Sequence, residues 1–232
     1  MDVLKRIARS TLAKAGYRIQ RVNGESDFVL WARQEEFLRA CEGVKPYTFL
    51  TMDRLFMLWQ YARAARTLEG DAAEIGVYRG GSAKLIMEAF AGSDKALHLF
   101  DTFAGMPDVT PGLDGDYRTG DFADTSLEAV RRLFAPSDPV RWHVGVFPTT
   151  AGPVRDRRFC FVYIDVDIYR STVDCLEFFY PRLVPCGCIM LDDYQSIKAP
   201  GVKQAVMEFL RGKPEVPIMT AKGQCVIVKR PG

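Results

Sequence analysis

The sequence has no apolar run near the roughly 18 to 20 residues that span a bilayer. It has only two histidines, His98 and His143, and each is read as standing alone in an apparent strand. Its six cysteines include a C-x-C at Cys186 and Cys188, but no second pair at zinc-finger spacing. Reduced thiols buried in a cytoplasmic protein are therefore a better reading than structural zinc. A net charge of +2 gives no reason to expect nucleic acid as a bulk partner. No Gly-Lys-Ser/Thr follows a glycine loop, which removes Walker-type nucleotide binding. Internal repeats and low-complexity tracts are also missing. What remains is the ordinary mix of a globular protein, 48% hydrophobic and 26% charged, at a length of 232 residues that suits one α/β domain.

The first residues, MDVLKRIARSTLAKAGYRIQR, are basic and amphipathic. They carry no long apolar segment of a secretory signal; a transit peptide or a membrane-surface helix is one reading, and a helix that packs on the domain or on a partner subunit is the preferred one. A helix of about five turns is expected from Thr51 to Leu68. From Asp71 the pattern alternates. DAAEIGVY, KALHLFDTF, VRWHVGVF, RRFCFVYIDVD and GCIMLDDY read as strands, and GSAKLIMEAFAG, TSLEAVRRLF, STVDCLEFFYPRL and GVKQAVMEFLRG as helices. The tail QCVIVKR reads as a closing strand. Strands apolar on both faces, alternating with helices, indicate a parallel sheet covered on both sides. Ligands of such sheets bind beyond the carboxyl ends of the strands, where the strand order reverses.

Chemistry-bearing residues collect at those ends. EIGVYRGGSAKL places glycines where a ligand can approach the backbone, and opens a helix whose unpaired N–H groups suit an anion. Its spacing is wider than the dinucleotide fingerprint. Asp101 ends the next strand, where an acid can accept hydrogen bonds from both hydroxyls of a ribose. Together these features point to an adenosine-containing cofactor, and the lack of a phosphate-type pattern turns the choice to S-adenosylmethionine. Asp165 and Asp167 follow one strand, and Asp192 and Asp193 follow the strand after it. If strand geometry persists, Asp165 and Asp167 point the same way. Clustered carboxylates repel unless protonated or bridged by a cation. Such oxygen donors suit Mg²⁺ or a similar hard ion, which can lower the pKa of a bound hydroxyl. A D-x-D pair alone also suits a nucleotide-sugar glycosyltransferase, and solvated strand ends of a non-catalytic binding module are a third reading. The long acidic loop from Met106 to Asp124 is expected to close over the site.

EIGVYRGGSA, LHLFDTFAGMP, GDFADTSLEAVR, GVFPTT, YIDVDIYRSTVDCLEFFYPRL and LDDYQSIKAPGVKQAVMEFL run in family order from about residue 50 to 212. In them the chain resembles the macrocin O-methyltransferase (TylF) family of metal-dependent sugar and natural-product methyltransferases. The resemblance implies a class I Rossmann-like methyltransferase fold, a seven-stranded, mostly parallel sheet ending in an antiparallel hairpin. It implies S-adenosylmethionine and Mg²⁺ as cofactors and a small-molecule hydroxyl as acceptor. Carried over by position, Asp165, Asp192 and Asp193 are metal ligands and Asp167 is the general base. Glu74, Gly76, Tyr78, Gly80, Ser82, Asp101, Thr102 and Phe103 form the cofactor site, and Tyr194 shapes the substrate pocket. Members acting on antibiotic sugars tend to carry D-G-D where this chain has Asp165-Val166-Asp167. Val166 is expected to face the other way, leaving the ligand geometry intact. The expected division is a helical region over 1–68, serving as oligomer arm or substrate cap, and the methyltransferase domain over 69–232.

Overall fold

The computed structural model describes residues 29–220 and 222–231. The basic N-terminal helix expected from the sequence lies outside them. Residues Val29–Arg33 include a turn in which Ala32 N donates to Val29 O. The described residues from Gln34 onward pack as one compact unit.

Within that unit the described strands are β1 (Asp71–Ile75), β2 (Leu97–Asp101), β3 (Val140–Val144), β4 (Phe159–Ile164), β5 (Leu183–Leu191), β6 (Ile218–Met219) and β7 (Cys225–Val228). They form a single sheet in the order β3-β2-β1-β4-β5-β7-β6. β1 to β5 pair in parallel, while β7 runs antiparallel to both β5 and β6. β4 is buried along its whole length, which is why FCFVYI has no polar alternation.

The described helices are α1 (Glu35–Val44), α2 (Met52–Ala65), α3 (Gly81–Ala89), α4 (Leu127–Arg131), α5 (Tyr169–Phe179) and α6 (Pro200–Phe209). α3 leads from β1 outward to β2, and α5 leads from β4 outward in the opposite direction to β5. Right-handed crossovers therefore put the two helices on opposite faces of the sheet. α1 and α2 both pack on α3, and α2 also reaches β4 and β5. On the other face α5 packs against α6. α1 shows why it folds: Phe37, Cys41 and Val44, spaced four and three apart, are its buried stripe. α4 is shorter than its sequence pattern suggests. Ser126 caps it by accepting from Ala129 N, but after Arg131 the bonds tighten, with Leu133 N donating to Val130 O and Phe134 N to Arg131 O.

Phe179 anchors the core beneath α5. Its ring meets Phe100, Phe147, Phe159 and Phe178 at centroid distances of 6.0, 5.4, 5.0 and 5.0 Å. Phe179→Ala is expected to lower unfolding free energy by about 3–5 kcal/mol, read from the denaturant midpoint. A loss under about 1 kcal/mol would contradict this packing.

The histidines do not stand alone. His98 Nδ1 lies 3.0 Å from His143 Nε2, and His98 Nε2 lies 3.3 Å from Asp71 Oδ2. Burial pushes His143 down to about 4, so it stays neutral and the pair bridges two strands as a hydrogen-bonded unit. Five of the six cysteines are buried and all six are free, with Cys186 the exposed exception. Burial raises the Cys188 and Cys225 thiols to about 12, which leaves them protonated and inert.

Candidate active site

The strand order reverses at β1, which has β2 on one side and β4 on the other. Beyond this point the loop Gly76–Gly80 turns into α3. Gly76 has φ +87°, and a Cβ there would sit 1.8 Å from the carbonyl oxygen of Asp165. Only glycine lets the ends of β1 and β4 come this close. Ser82 Oγ donates to Glu74 Oε1 at 2.5 Å, while Glu74 Oε2 is buried with no hydrogen-bond partner. Burial holds the Glu74 carboxyl well above its ordinary range. Asp101 builds the loop from the neighbouring strand. Its Oδ2 accepts from Val77 N at 2.6 Å and Tyr78 N at 2.8 Å, and its Oδ1 accepts from Phe103 N at 2.7 Å. Backbone donors thus take three of its roughly four lone-pair positions, leaving less for a ribose than the sequence suggests.

A cavity of ≈ 250 Å³ opens here. Gly76, Tyr78, Ser82, Asp101 and Thr102 line one part of it, and Asp165, Asp167, Asp192 and Asp193 another. Glu74, Gly80 and Phe103 are not part of this lining, and Glu74 touches it through Ser82. Tyr194 does not face the cavity: it is buried in the core, its hydroxyl 3.3 Å from Met207 Sδ.

Strand register explains the meeting of the acids. Ile164 pairs with Leu191, so Asp165 and Asp192 leave adjacent strands side by side. The strand geometry does not persist to Asp167, however. β4 ends at Ile164, and Asp167 has a left-handed φ of 59°. A turn, closed by Ile168 N donating to Val166 O, brings Asp167 back towards its neighbours. Val166 lines the cavity and also packs on the core, so it does not simply face away. One carboxylate oxygen from each of Asp165, Asp167 and Asp193 lies within 4.8 Å of the others.

Asp192 is held differently from these three. Its Oδ2 accepts from Arg54 Nη1 at 2.6 Å, and its Oδ1 accepts from Tyr163 Oη and Gln224 Nε2, both at 2.8 Å. Neither Arg54 nor Gln224 carries a signal near the acids in sequence. Gln224 arrives because Cys225 pairs with Leu191 across the antiparallel hairpin. Tyr117, in the long loop, donates to Asp167 Oδ1 at 2.7 Å. That loop is pinned by buried Asp114, whose Oδ1 accepts from Tyr169 N at 2.6 Å, at the start of α5, and whose Oδ2 accepts from Thr110 N at 2.5 Å.

Packed together and buried, the four acids resist ionisation. Burial, with repulsion from Asp193 and Asp167 respectively, raises Asp192 to about 6 and Asp193 to about 7. Asp165 is raised well above its ordinary range by burial and then by Asp192 and Asp193. Burial also raises Asp167, opposed by hydrogen bonds from Asp193 and Tyr117. A carboxyl raised on folding contributes stability that is complete below its unfolded value of about 4. That contribution is lost as pH rises through about 6 to 7. In chelator, the thermal midpoint is therefore expected to fall from about pH 5 to about pH 8. A midpoint that rises over this range in chelator contradicts the expectation.

Comparison with known proteins agrees with this architecture. Mycinamicin III 3''-O-methyltransferase of Micromonospora griseorubida is 29% identical over 228 residues, 90% of this chain and 87% of that protein. Demethyldecarbamoylnovobiocin O-methyltransferase of Streptomyces niveus is 34% identical over 153 residues, 60% of this chain and 58% of that protein. Among solved structures, the O-methyltransferase NovP superposes with a TM-score of 0.68 at 25% identity, covering 80% of this chain and 83% of that one. The strand order and C-terminal hairpin are those of a Rossmann-like O-methyltransferase. Residues 41–230, most of the sequence, match the macrocin-O-methyltransferase (TylF) description, and the chain belongs to that family of O-methyltransferases.

Proposed function

We propose that this protein transfers a methyl group from S-adenosylmethionine to a hydroxyl of a sugar or other small natural product bearing neighbouring oxygens, with Mg²⁺ or a similar divalent cation. The observation that carries the reading is the convergence of Asp165, Asp167 and Asp193 beside the glycine loop. Four raised carboxyls around one cavity suit a hard cation. When bound, the cation supplies Lewis acidity towards a substrate hydroxyl, and S-adenosylmethionine supplies the methyl group. Asp165 and Asp193 would hold the cation, with Asp192 as the third ligand implied by the resemblance. Gly76, Tyr78, Gly80, Ser82, Asp101, Thr102 and Phe103 would hold the cofactor.

Asp167 takes the hydroxyl proton, and Tyr117 orients the carboxylate that receives it. The loop bearing Tyr117 and Phe122 contributes Met106, Pro107 and Phe122 to the cavity wall, where it would shield the reaction from water. The free, mostly buried thiols accord with a place in the cytoplasm. Calorimetric titration with S-adenosylhomocysteine, with and without Mg²⁺, tests the binding claims, and methyl transfer to acceptor glycosides tests the reaction. Full activity after exhaustive chelation would remove the cation from the reading.

Tyr117→Phe is expected to lower kcat roughly tenfold or more, the value of a hydrogen bond to a charged group, with KM little changed. Its hydroxyl favours the ionised form of Asp167. Without it the acidic limb of the pH–rate profile should move to higher pH. A profile that keeps its position would show that Tyr117 does not act on Asp167.

A further inference from the structure

Among the described residues lining the cavity, Arg54 is the only lysine or arginine. It comes from the first turn of α2, whose helix also packs on α3 and on β4 and β5. Its guanidinium is spread over two of the four acids. Nη1 donates to Asp192 Oδ2 at 2.6 Å, and Nη2 lies 3.8 Å from Asp193 Oδ1. Nε donates to the carbonyl of Lys222 at 3.2 Å, so the turn between β6 and β7 holds the fork from behind. The ion pair is set deep: the Asp192 side chain is 2% exposed and that of Arg54 24%.

Both oxygens of Asp192 are thereby engaged, Oδ2 by Arg54 and Oδ1 by Tyr163 and Gln224. A hard cation needs oxygen lone pairs and is repelled by a neighbouring positive charge. The arginine therefore sits where it satisfies the acids without a metal and opposes one that arrives. We propose that Arg54 is an internal counter-cation of the acidic cluster, which competes with the divalent cation for Asp192 and sets the metal affinity of the site. This rests on the reading of Asp165, Asp192 and Asp193 as metal ligands. The competition is reciprocal: what Arg54 takes from the cation's affinity, a bound cation takes from the Arg54–Asp192 pair. If Arg54 were only a strut joining α2 to the C-terminal hairpin, removing it would loosen the site and weaken the cation.

The test uses the full chain freed of metal, titrated calorimetrically with Mn²⁺, as wild type, Arg54→Lys and Arg54→Gln. Glutamine keeps a polar side chain of similar reach and removes the charge, whereas lysine keeps the charge and loses the planar fork. Arg54→Gln is expected to bind Mn²⁺ about 5- to 150-fold more tightly than wild type, the usual range of a coupling between two bound groups. Arg54→Lys should fall between the two, which decides the matter if the glutamine variant does not fold. Thermal unfolding adds a second readout. Without metal Arg54→Gln should melt below wild type, and saturating Mn²⁺ should raise its midpoint by more. Cation binding as weak as or weaker than wild type in both variants overturns the proposal while leaving the metal site standing. Failure of all three proteins to bind Mn²⁺ overturns both.

Discussion

Asp167→Asn is expected to give a folded protein that binds S-adenosylhomocysteine as the wild type does, yet transfers methyl groups about 10²- to 10⁴-fold more slowly. The substitution is isosteric and removes only the capacity to take a proton. It is also kind to the backbone. Asp167 sits at φ +59°, a conformation that asparagine tolerates as well as aspartate. The amide oxygen can still accept from Tyr117, so the long loop keeps its contact. A loss of only a few-fold, with cofactor affinity intact, would remove Asp167 as the proton acceptor. Single-turnover assays separate the chemical step from product release.

Gly76→Ala should act on the fold rather than on the proton. Two penalties combine there. The residue holds φ +87°, and the new Cβ would lie 1.8 Å from the carbonyl oxygen of Asp165, which is backbone and cannot swing aside. Left-handed strain of about 1–2 kcal/mol and overpacking of about 1–3 kcal/mol together reach on the order of 3 kcal/mol or more. That is a large share of a typical stability of about 5–15 kcal/mol. Relief requires β1 and β4 to part, so S-adenosylhomocysteine and Mn²⁺ binding should weaken together. Gly92→Ala is the control. Gly92 has φ +77° but nothing within 4 Å of a new Cβ, so it carries the strain without the clash. If the two variants had equal denaturant midpoints, the close approach at Gly76 would not be what that glycine provides.

Most residues that the sequence brings forward lie at or just beyond strand ends, and the reason is the parallel sheet. Once DAAEI, LHLFD, FCFVYI and the strand ending at Leu191 are recognised, their following residues must emerge along one edge. Gly76, Asp165 and Asp192 are those residues, and Asp101 is the last residue of its strand. The four carboxylates were legible because they are adjacent in sequence or one crossover apart.

Their partners were not legible. Arg54 precedes Asp192 by 138 residues, and Tyr117 precedes Asp167 by 50. Nothing in α2 marks one of its arginines as different from Arg63, which pairs with Glu36 on the outside. Gln224 reaches Asp192 only through antiparallel register, and a one-residue slip would turn it away. His98 and His143 likewise look solitary until neighbouring strands set one ring beside the other.

The sequence by itself determined the alternation of strand and helix, the glycine loop, and the acids that follow the strands, because each rests on local periodicity or on neighbours in the chain. Tertiary structure alone decided which acids converge and which one is claimed by Arg54. It also decided that Asp167 reaches its place through a left-handed turn, and that Tyr117 stands over it. Those outcomes depend on register, crossover and packing between distant segments, where the free energy of burying a charge is decided by what lies across the cavity.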